Sequence, residues 1–213
     1  MNGPVVNHWP DATHAHTYLG ARHRIPHRDE GGAVLLEVLA RPRRVLDLGT
    51  GDGALLALLR SKWPDIEAVA LDFSPAMLDA ARERFEGDAA VSIVEHDLDR
   101  PLPDLGAFDT VVSSFAIHHL ADPRKRALAG EVFALLEPSG RFANLEHVSS
   151  PSERLHHEFL AALDTHPDDE DPSNKLAPLE VQLAWLSDVG FEDVDCLWKW
   201  RELALMVGTK PAA

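Results

Sequence analysis

The stretch VLDLGTGDG, Val45 to Gly53, constrains this chain more than any other. A short apolar run closes on Gly49, and Gly51 and Gly53 follow before helical spacing begins at Ala54. Glycine reaches backbone dihedrals that a Cβ forbids, so such a segment turns tightly from strand to helix and lets a ligand approach the main chain. The amides of the helix's first turn then point at that ligand. The glycines alone are ambiguous, because Gly49, Gly51 and Ala54 also satisfy the G-x-G-x-x-G/A pattern of NAD-binding loops. The acids separate the two. Asp47 closes the strand and Asp52 lies inside the turn, where a pyrophosphate would sit. Two carboxylates there repel a dianion and suit a ligand bearing an ammonium and a sulfonium.

Around this loop the apolar pattern alternates short strand-like runs with longer helical ones. It predicts strands at Val45–Leu48, Ile66–Leu71, Val91–Val94, Phe108–Ser113 and Arg141–Leu145, and helices at Ala54–Trp63, Pro75–Phe85 and Pro123–Leu136. Ser74 is placed as an N-cap, with Pro75 at the first helical position. Glu137-Pro138-Ser139-Gly140 is placed as the end of the third of these helices. Alternation of this kind implies parallel pairing through right-handed crossovers. Later the rhythm breaks. Leu179–Val189 reads as a helix stopped by Gly190, and Phe191–Trp198 and Leu203–Val207 leave no room for a helix between them. Only an antiparallel hairpin fits there. The expected fold is α/β, a Rossmann-like doubly wound seven-stranded sheet with one antiparallel strand in a C-terminal hairpin. Residues 1–40 are expected to form an N-terminal helical cap or lid, with helices at Asp11–Gly20 and Arg28–Ala40, and 41–213 the ligand-binding domain. Thr165–Lys175, acidic and turn-rich, reads as a solvated loop.

Composition narrows the partners. A net charge of −15 and no basic cluster beyond Arg41–Arg44 argue against nucleic acid. No apolar run approaches the roughly 20 residues of a membrane span, so no membrane partner is expected. The single cysteine, Cys196, excludes an intramolecular disulfide framework and a zinc ribbon, and fits a reducing compartment. Met1–Asp11 lacks the basic start and apolar stretch of a signal peptide, so a cytoplasmic location is expected. Twelve histidines are many, but none forms a pair of the H-E-x-x-H kind, and adjacent His156 and His157 diverge by about 100° on a helix. No metal is expected. The oligomeric state is open.

With the glycine loop in place, the other pieces fall into a known order. VLDLGTGDG, the acid Asp72 at the end of ALDFS, Asp97 in EHDL, FDTVVSSFAIHHL, LLEPSGRFANLEH and LSDVGFEDVD before a hairpin together resemble the class I S-adenosylmethionine-dependent methyltransferases of small-molecule type. The resemblance covers most of the chain. One departure is Ser139, which replaces the first of two usual glycines. It implies S-adenosyl-L-methionine as cofactor, with Asp72 holding the ribose hydroxyls and Asp97, beside the Leu98 backbone, facing the adenine amino group. The other cofactor-binding positions it implies are Asp47, Gly49, Thr50, Gly51, Phe73, Met77 and Ser114. It also implies a small-molecule methyl acceptor.

Methyl transfer from a sulfonium is an in-line displacement, so positioning and exclusion of water do much of the work. A base is needed only if the acceptor loses a proton as it attacks. His118 and His119 after the fourth strand, and Glu146 and His147 at the end of the fifth, are the candidates to face the acceptor. Their competing roles are helix capping and packing. Trp9, Tyr18, Trp198 and Trp200 are candidate pocket walls, and Arg22, His23 and Arg24 could meet the cofactor's carboxylate. A dehydrogenase is disfavoured because Tyr18 is followed four places on by Arg22, not lysine. The stretch SSFAIHHL lacks the Asn/Asp-Pro-Pro-aromatic motif of nucleic-acid amino-methyltransferases, and Cys196 lies too late for a cysteine-dependent cytosine methyltransferase. Two alternatives stay open: cofactor modification of the carboxy-S-adenosylmethionine synthase kind, which the region from Leu155 onward resembles, and a non-catalytic S-adenosylmethionine-binding protein.

Overall fold

The structure, a computed structural model, describes residues 25–213. In chain order the elements are α1 (Arg28–Val38), β1 (Arg44–Leu48), α2 (Ala54–Lys62), β2 (Glu67–Asp72), α3 (Pro75–Arg84), β3 (Val91–Glu95) and β4 (Phe108–Ser114). A 3-10 turn (Ile117–His119), α4 (Asp122–Leu135), β5 (Leu136–His147), α5 (Glu153–Ala162) and a second 3-10 turn (Pro167–Asp169) follow, then α6 (Leu179–Val189), β6 (Glu192–Trp200) and β7 (Leu203–Thr209). The strands form one sheet in the order β3-β2-β1-β4-β5-β7-β6. β1 pairs in parallel with both β2 and β4, and only β7 runs against its neighbours β5 and β6. The chain thus winds one way from β1 to β3 and the other way from β4 onward. The crevice where such a sheet accepts a ligand lies at that switch, outside the carboxyl ends of β1 and β4.

Alternation along each strand feeds two cores. Leu46 and Leu48 face one side with Val111, Leu128, Val132 and Leu186, under α4 and α6. Val45 faces the other side with Leu35, Leu56, Leu59 and Leu205, under α1 and α2. Each fully buried leucine contributes about 1.5–3 kcal/mol relative to exposure. The inner place of β7 follows from its LALMV run, buried on both faces, whereas β6 alternates between part-buried and exposed residues as an edge strand should.

One local expectation holds in position but not in bonding, and two are corrected. Ser74 occupies the N-cap of α3, but its hydroxyl is buried without a hydrogen bond. Its N–H instead donates to Asp72 Oδ1 at 2.9 Å, so the carboxylate before the helix organises the turn. Glu137–Gly140 does not end α4; it opens β5, which starts at Leu136. Within it Ser139 keeps a glycine-like φ of 63° and donates its N–H to Lys210 O at 3.0 Å. The segment 165–178 is not simply a solvated loop. Lys175 N–H donates to His118 O at 2.9 Å, Ser149 N–H donates to Ala177 O at 3.1 Å, and Ser149 and Pro178 form a parallel bridge.

Of the two helices expected before the first strand, Arg28–Ala40 ends at Val38, and Asp11–Gly20 lies outside the described residues. α1 packs across β5, β6 and β7, with Leu35 wholly buried. Gly31 permits this approach, since a Cβ there would come within 2.8 Å of Leu145 and 2.9 Å of Trp198. Trp198 and Trp200 pack against buried side chains of the sheet and of α5, and neither borders the crevice. Trp9, Tyr18, Arg22, His23 and Arg24 lie outside the described residues. Among the described residues, no helix is long and apolar enough to cross a membrane.

Candidate active site

A cleft of about 250 Å³ opens at the carboxyl ends of the parallel strands. The glycine turn forms its floor. Gly49 has φ +66°, and a Cβ on it would lie 2.2 Å from that of Ala116, so the turn packs directly on the chain leaving β4. Gly51, at φ +57°, has only Met77 Sδ near a Cβ position, at 3.9 Å, and its main chain faces the cleft. Thr50 N–H donates to Leu71 O at 2.8 Å, which ties the turn to β2.

Asp72, at the end of β2, joins these pieces. Its Oδ2 accepts Gly51 N–H at 2.8 Å and its Oδ1 accepts Ser74 N–H. Burial raises its pKa, and the backbone donors at Ser74, Gly51 and Phe73 oppose that rise. Each oxygen retains a lone pair for a ligand hydroxyl. Asp47 is 1% exposed. Its Oδ2 accepts the Thr50 hydroxyl at 2.6 Å, while its Oδ1 is buried with no partner among the described residues. Burial pushes its pKa up to about 7, with the charges of Asp72 and Asp52 adding to the rise against the Thr50 hydrogen bond.

The electrostatics of the turn therefore differ from the reading of two bare carboxylates. Asp52 is held by Arg84, whose guanidinium bonds its carboxylate and whose Nε donates to its carbonyl at 2.7 Å. Asp47, by contrast, has no cationic partner among the described residues, and burial raises its pKa toward neutrality.

The cleft walls take in Asp47, Gly49, Thr50, Gly51, Asp72, Phe73, Met77, Asp97, Leu98 and Ser114. Of the four catalytic candidates they take in His119 and leave out His118, Glu146 and His147. Those three form a network behind the wall. Glu146, fully buried, accepts His118 N–H at 3.0 Å and His147 N–H at 2.7 Å, and His118 Nδ1 lies 2.6 Å from its Oε1. His147 Nε2 reaches Glu202 at 2.8 Å, and Glu202 also meets His156 Nδ1 at 3.0 Å. Although its own burial works the other way, hydrogen bonds from His147, Ser150 and His156 hold the Glu202 carboxyl below its ordinary value. Burial likewise opposes the rise of His156, which Glu202 and Glu170 lift above the ordinary imidazole range.

His119 is uncharged. Burial, and then the neighbouring His118, hold it well below the usual imidazole range. Its Nδ1 lies 2.9 Å from Ser173 Oγ, which in turn lies 2.7 Å from Asp171 Oδ1. A carboxylate only accepts, so the Ser173 proton goes to Asp171 and Ser173 Oγ receives the His119 Nδ1 proton. Nε2 is then the basic nitrogen of this tautomer.

Sequence reasoning missed Ser173, Lys175, Arg28 and His96, which also line the cleft. Lys175 carried a faint signal as the only lysine or arginine in the acidic stretch 165–175. Arg28 carried none. Its guanidinium sits 4.8 Å from the Phe115 ring centroid, and Phe115 itself has φ 54°. A bulky residue in that region costs about 1–3 kcal/mol and is found where a site demands it. Among the described residues, no group of three His, Cys, Asp or Glu side chains could hold a metal ion.

A seven-stranded doubly wound sheet with one reversed strand, and a glycine turn backed by acids at the switch point, define a Rossmann-like α/β architecture with its crevice at the switch. Residues 45–140 match the family model described as "Methyltransferase domain". The demethylmenaquinone methyltransferase of Thermus thermophilus is 40% identical over 121 residues, covering 56% of this chain and 54% of that protein. The trans-aconitate 2-methyltransferase of Methylobacterium radiotolerans is 34% identical over 140 residues, covering 60% of this chain and 49% of that one. Human N-acetylserotonin methyltransferase, solved in complex with S-adenosylmethionine, superimposes with a TM-score of 0.71 at 17% identity, over 96% of this chain and 58% of that one. Residues 45–140 are thus a methyltransferase domain of the class I S-adenosylmethionine-dependent kind. The chain spans about half the length of the curated relatives it matches. S-adenosylmethionine is the cofactor of that family, and the cleft suits it: Asp47 Oδ1 is an orphaned buried acceptor for a cation, and the turn is open at Gly51.

Proposed function

We propose that the chain transfers the methyl group of S-adenosylmethionine to a small-molecule acceptor. One observation carries this reading: a buried carboxylate with an unsatisfied oxygen, Asp47, stands in the same cleft as a second acid, Asp72, that already organises the glycine turn. In this reading Asp72 takes the ribose hydroxyls through its remaining lone pairs. Asp97 and the Leu98 main chain face the adenine, and Asp47 meets the ligand's positive charge. Phe73, Met77, Thr50 and Ser114 close the walls around them.

When bound, the cofactor supplies a methyl carbon that bonds to the acceptor as its bond to sulfur breaks, the electron pair staying on sulfur. The residues of the chain bind, orient and keep out water. His119, uncharged and fixed by Ser173, accepts a hydrogen bond from the acceptor and orients it. So depressed an imidazole is a weak base, which favours an acceptor that needs little deprotonation. His118, Glu146 and His147 brace the wall from behind.

Calorimetry with S-adenosylhomocysteine and with NAD tests the cofactor half. Binding of the first and not the second is expected, and the reverse overturns the reading. Labelled S-adenosylmethionine incubated with a metabolite extract tests the transfer, with label expected in a small product. The relatives' names make demethylmenaquinone and trans-aconitate the first defined acceptors to try. A changed cofactor species, or no turnover with any acceptor, would replace methyl transfer with one of the two alternatives.

A further inference from the structure

The cleft carries its charges in two groups. Its acids, Asp47, Asp52, Asp72, Asp97 and Asp99, all come from the ends of β1, β2 and β3. The wall built after β4 and by segment 165–178 lines the cleft with Lys175 and no carboxylate, Asp171 standing behind it against Ser173, and α1 adds the cation of Arg28 to the lining. This lysine is placed by main-chain contacts on both sides. Its N–H donates to His118 O at 2.9 Å, and its carbonyl accepts from Lys125 Nζ, itself buried and paired with Asp122 at 2.9 Å. Its own ammonium donates to His119 O at 2.7 Å, which uses one of three donors. No carboxylate pairs with it among the described residues.

A half-buried ammonium on a cleft wall has given up part of its hydration, and an anion brought to it restores the lost interaction. The adjoining His119 adds no negative charge to compete. The far end of the same cleft, crowded with acids, repels that anion and so orients it. We propose that the methyl acceptor carries a carboxylate or an equivalent anionic oxygen, recognised by Lys175 at the β4 end of the cleft. The proposal rests on the methyl-transfer reading and sharpens it, because it separates an anionic acceptor from a neutral one.

The test is calorimetry on protein saturated with S-adenosylhomocysteine, titrated with trans-aconitate, benzoate and hexanoate, each beside its amide counterpart. At least one carboxylate should bind tenfold or more tighter than its amide. Lys175→Gln should erase that preference and Lys175→Arg should keep it, while both variants bind S-adenosylhomocysteine within twofold of the parent chain. Equal binding of every carboxylate and its amide overturns the proposal, and does so on the parent chain alone, whatever the variants' stability. So does a preference that survives Lys175→Gln. If the parent chain fails to bind S-adenosylhomocysteine at all, the methyl-transfer reading falls first and this proposal with it.

Discussion

The two halves of the cleft are built by different means. The half at the ends of β1, β2 and β3 is local: each functional residue follows its strand within a few positions, and Asp72 fastens the turn to β2 through Gly51 N–H. The half beyond β4 is assembled from afar. His119 meets Ser173, more than fifty residues later, and Lys175 is held by Lys125 and by the carbonyls of His118 and His119. Parallel strands deliver the first half as a by-product of folding. The second half exists only because one long segment is strapped back onto the sheet.

The sharpest way to break the first half is Gly49→Ala. The new methyl would overlap Ala116 and hold an unfavourable φ, costing about 3 kcal/mol or more. Melting temperature and S-adenosylhomocysteine affinity should both collapse. Asp72→Ala comes next. It leaves two backbone N–H groups without their acceptor, at about 1–3 kcal/mol each, and should weaken S-adenosylhomocysteine by about a hundredfold. An affinity within threefold of the parent chain would remove Asp72 from the cofactor site.

Asp47→Asn should separate stability from function. Asp47 titrates at about 7 in the folded chain against an ordinary 3.8, so the folded state holds an extra proton between those values. Stability then falls as pH rises from about 4 toward 7. The asparagine variant should gain on the order of 1–2 kcal/mol at pH 8 and less at pH 4, read by melting without ligand. Its cofactor affinity should drop about tenfold and lose the rise between pH 6 and pH 8 that the parent chain shows, which reflects ionisation of Asp47 beside a cation.

The smallest effect belongs to the second half. His156 lies between Glu202 and Glu170, and its raised pKa makes its positive charge a clamp on segment 165–178. The folded pKa lies above the unfolded one, so the clamp is complete below about pH 6.5 and is lost as pH climbs through the folded value. Amide exchange in residues 165–175 should quicken, beyond the intrinsic pH effect, between pH 6 and pH 9. Glu170→Gln should flatten that response and leave S-adenosylhomocysteine binding unchanged. A pH response equal in both proteins would show that the clamp does nothing.

These contrasts also explain what the sequence could disclose. The alternation of β1 through β5 and the reversed hairpin were legible because each depends on a short contiguous pattern, and the ten residues named from such patterns all line the cleft. The choice among His118, His119, Glu146 and His147 was not. His118 and His119 share one 3-10 turn, where successive side chains leave the backbone about 120° apart, so the two rings, 4.0 Å apart, still bond to different partners. Which one meets the cleft is set by Glu146 on β5 and Ser173 on the strap, neither of them nearby in sequence. The neutralising grip of Arg84 on Asp52 was hidden for the same reason. Long-range partners decide charge, and periodicity does not report them.

The position of β7 reaches beyond the site. It slots between β5 and β6, yet among the described strands it is the last to be translated. A ribosome that has released only the first five strands presents a β5 edge with nothing beside it, an open template for pairing with another nascent chain. The apolar LALMV run that seals that edge must arrive promptly, and slowed synthesis between β5 and β7 would turn the same surface into a seed for aggregation.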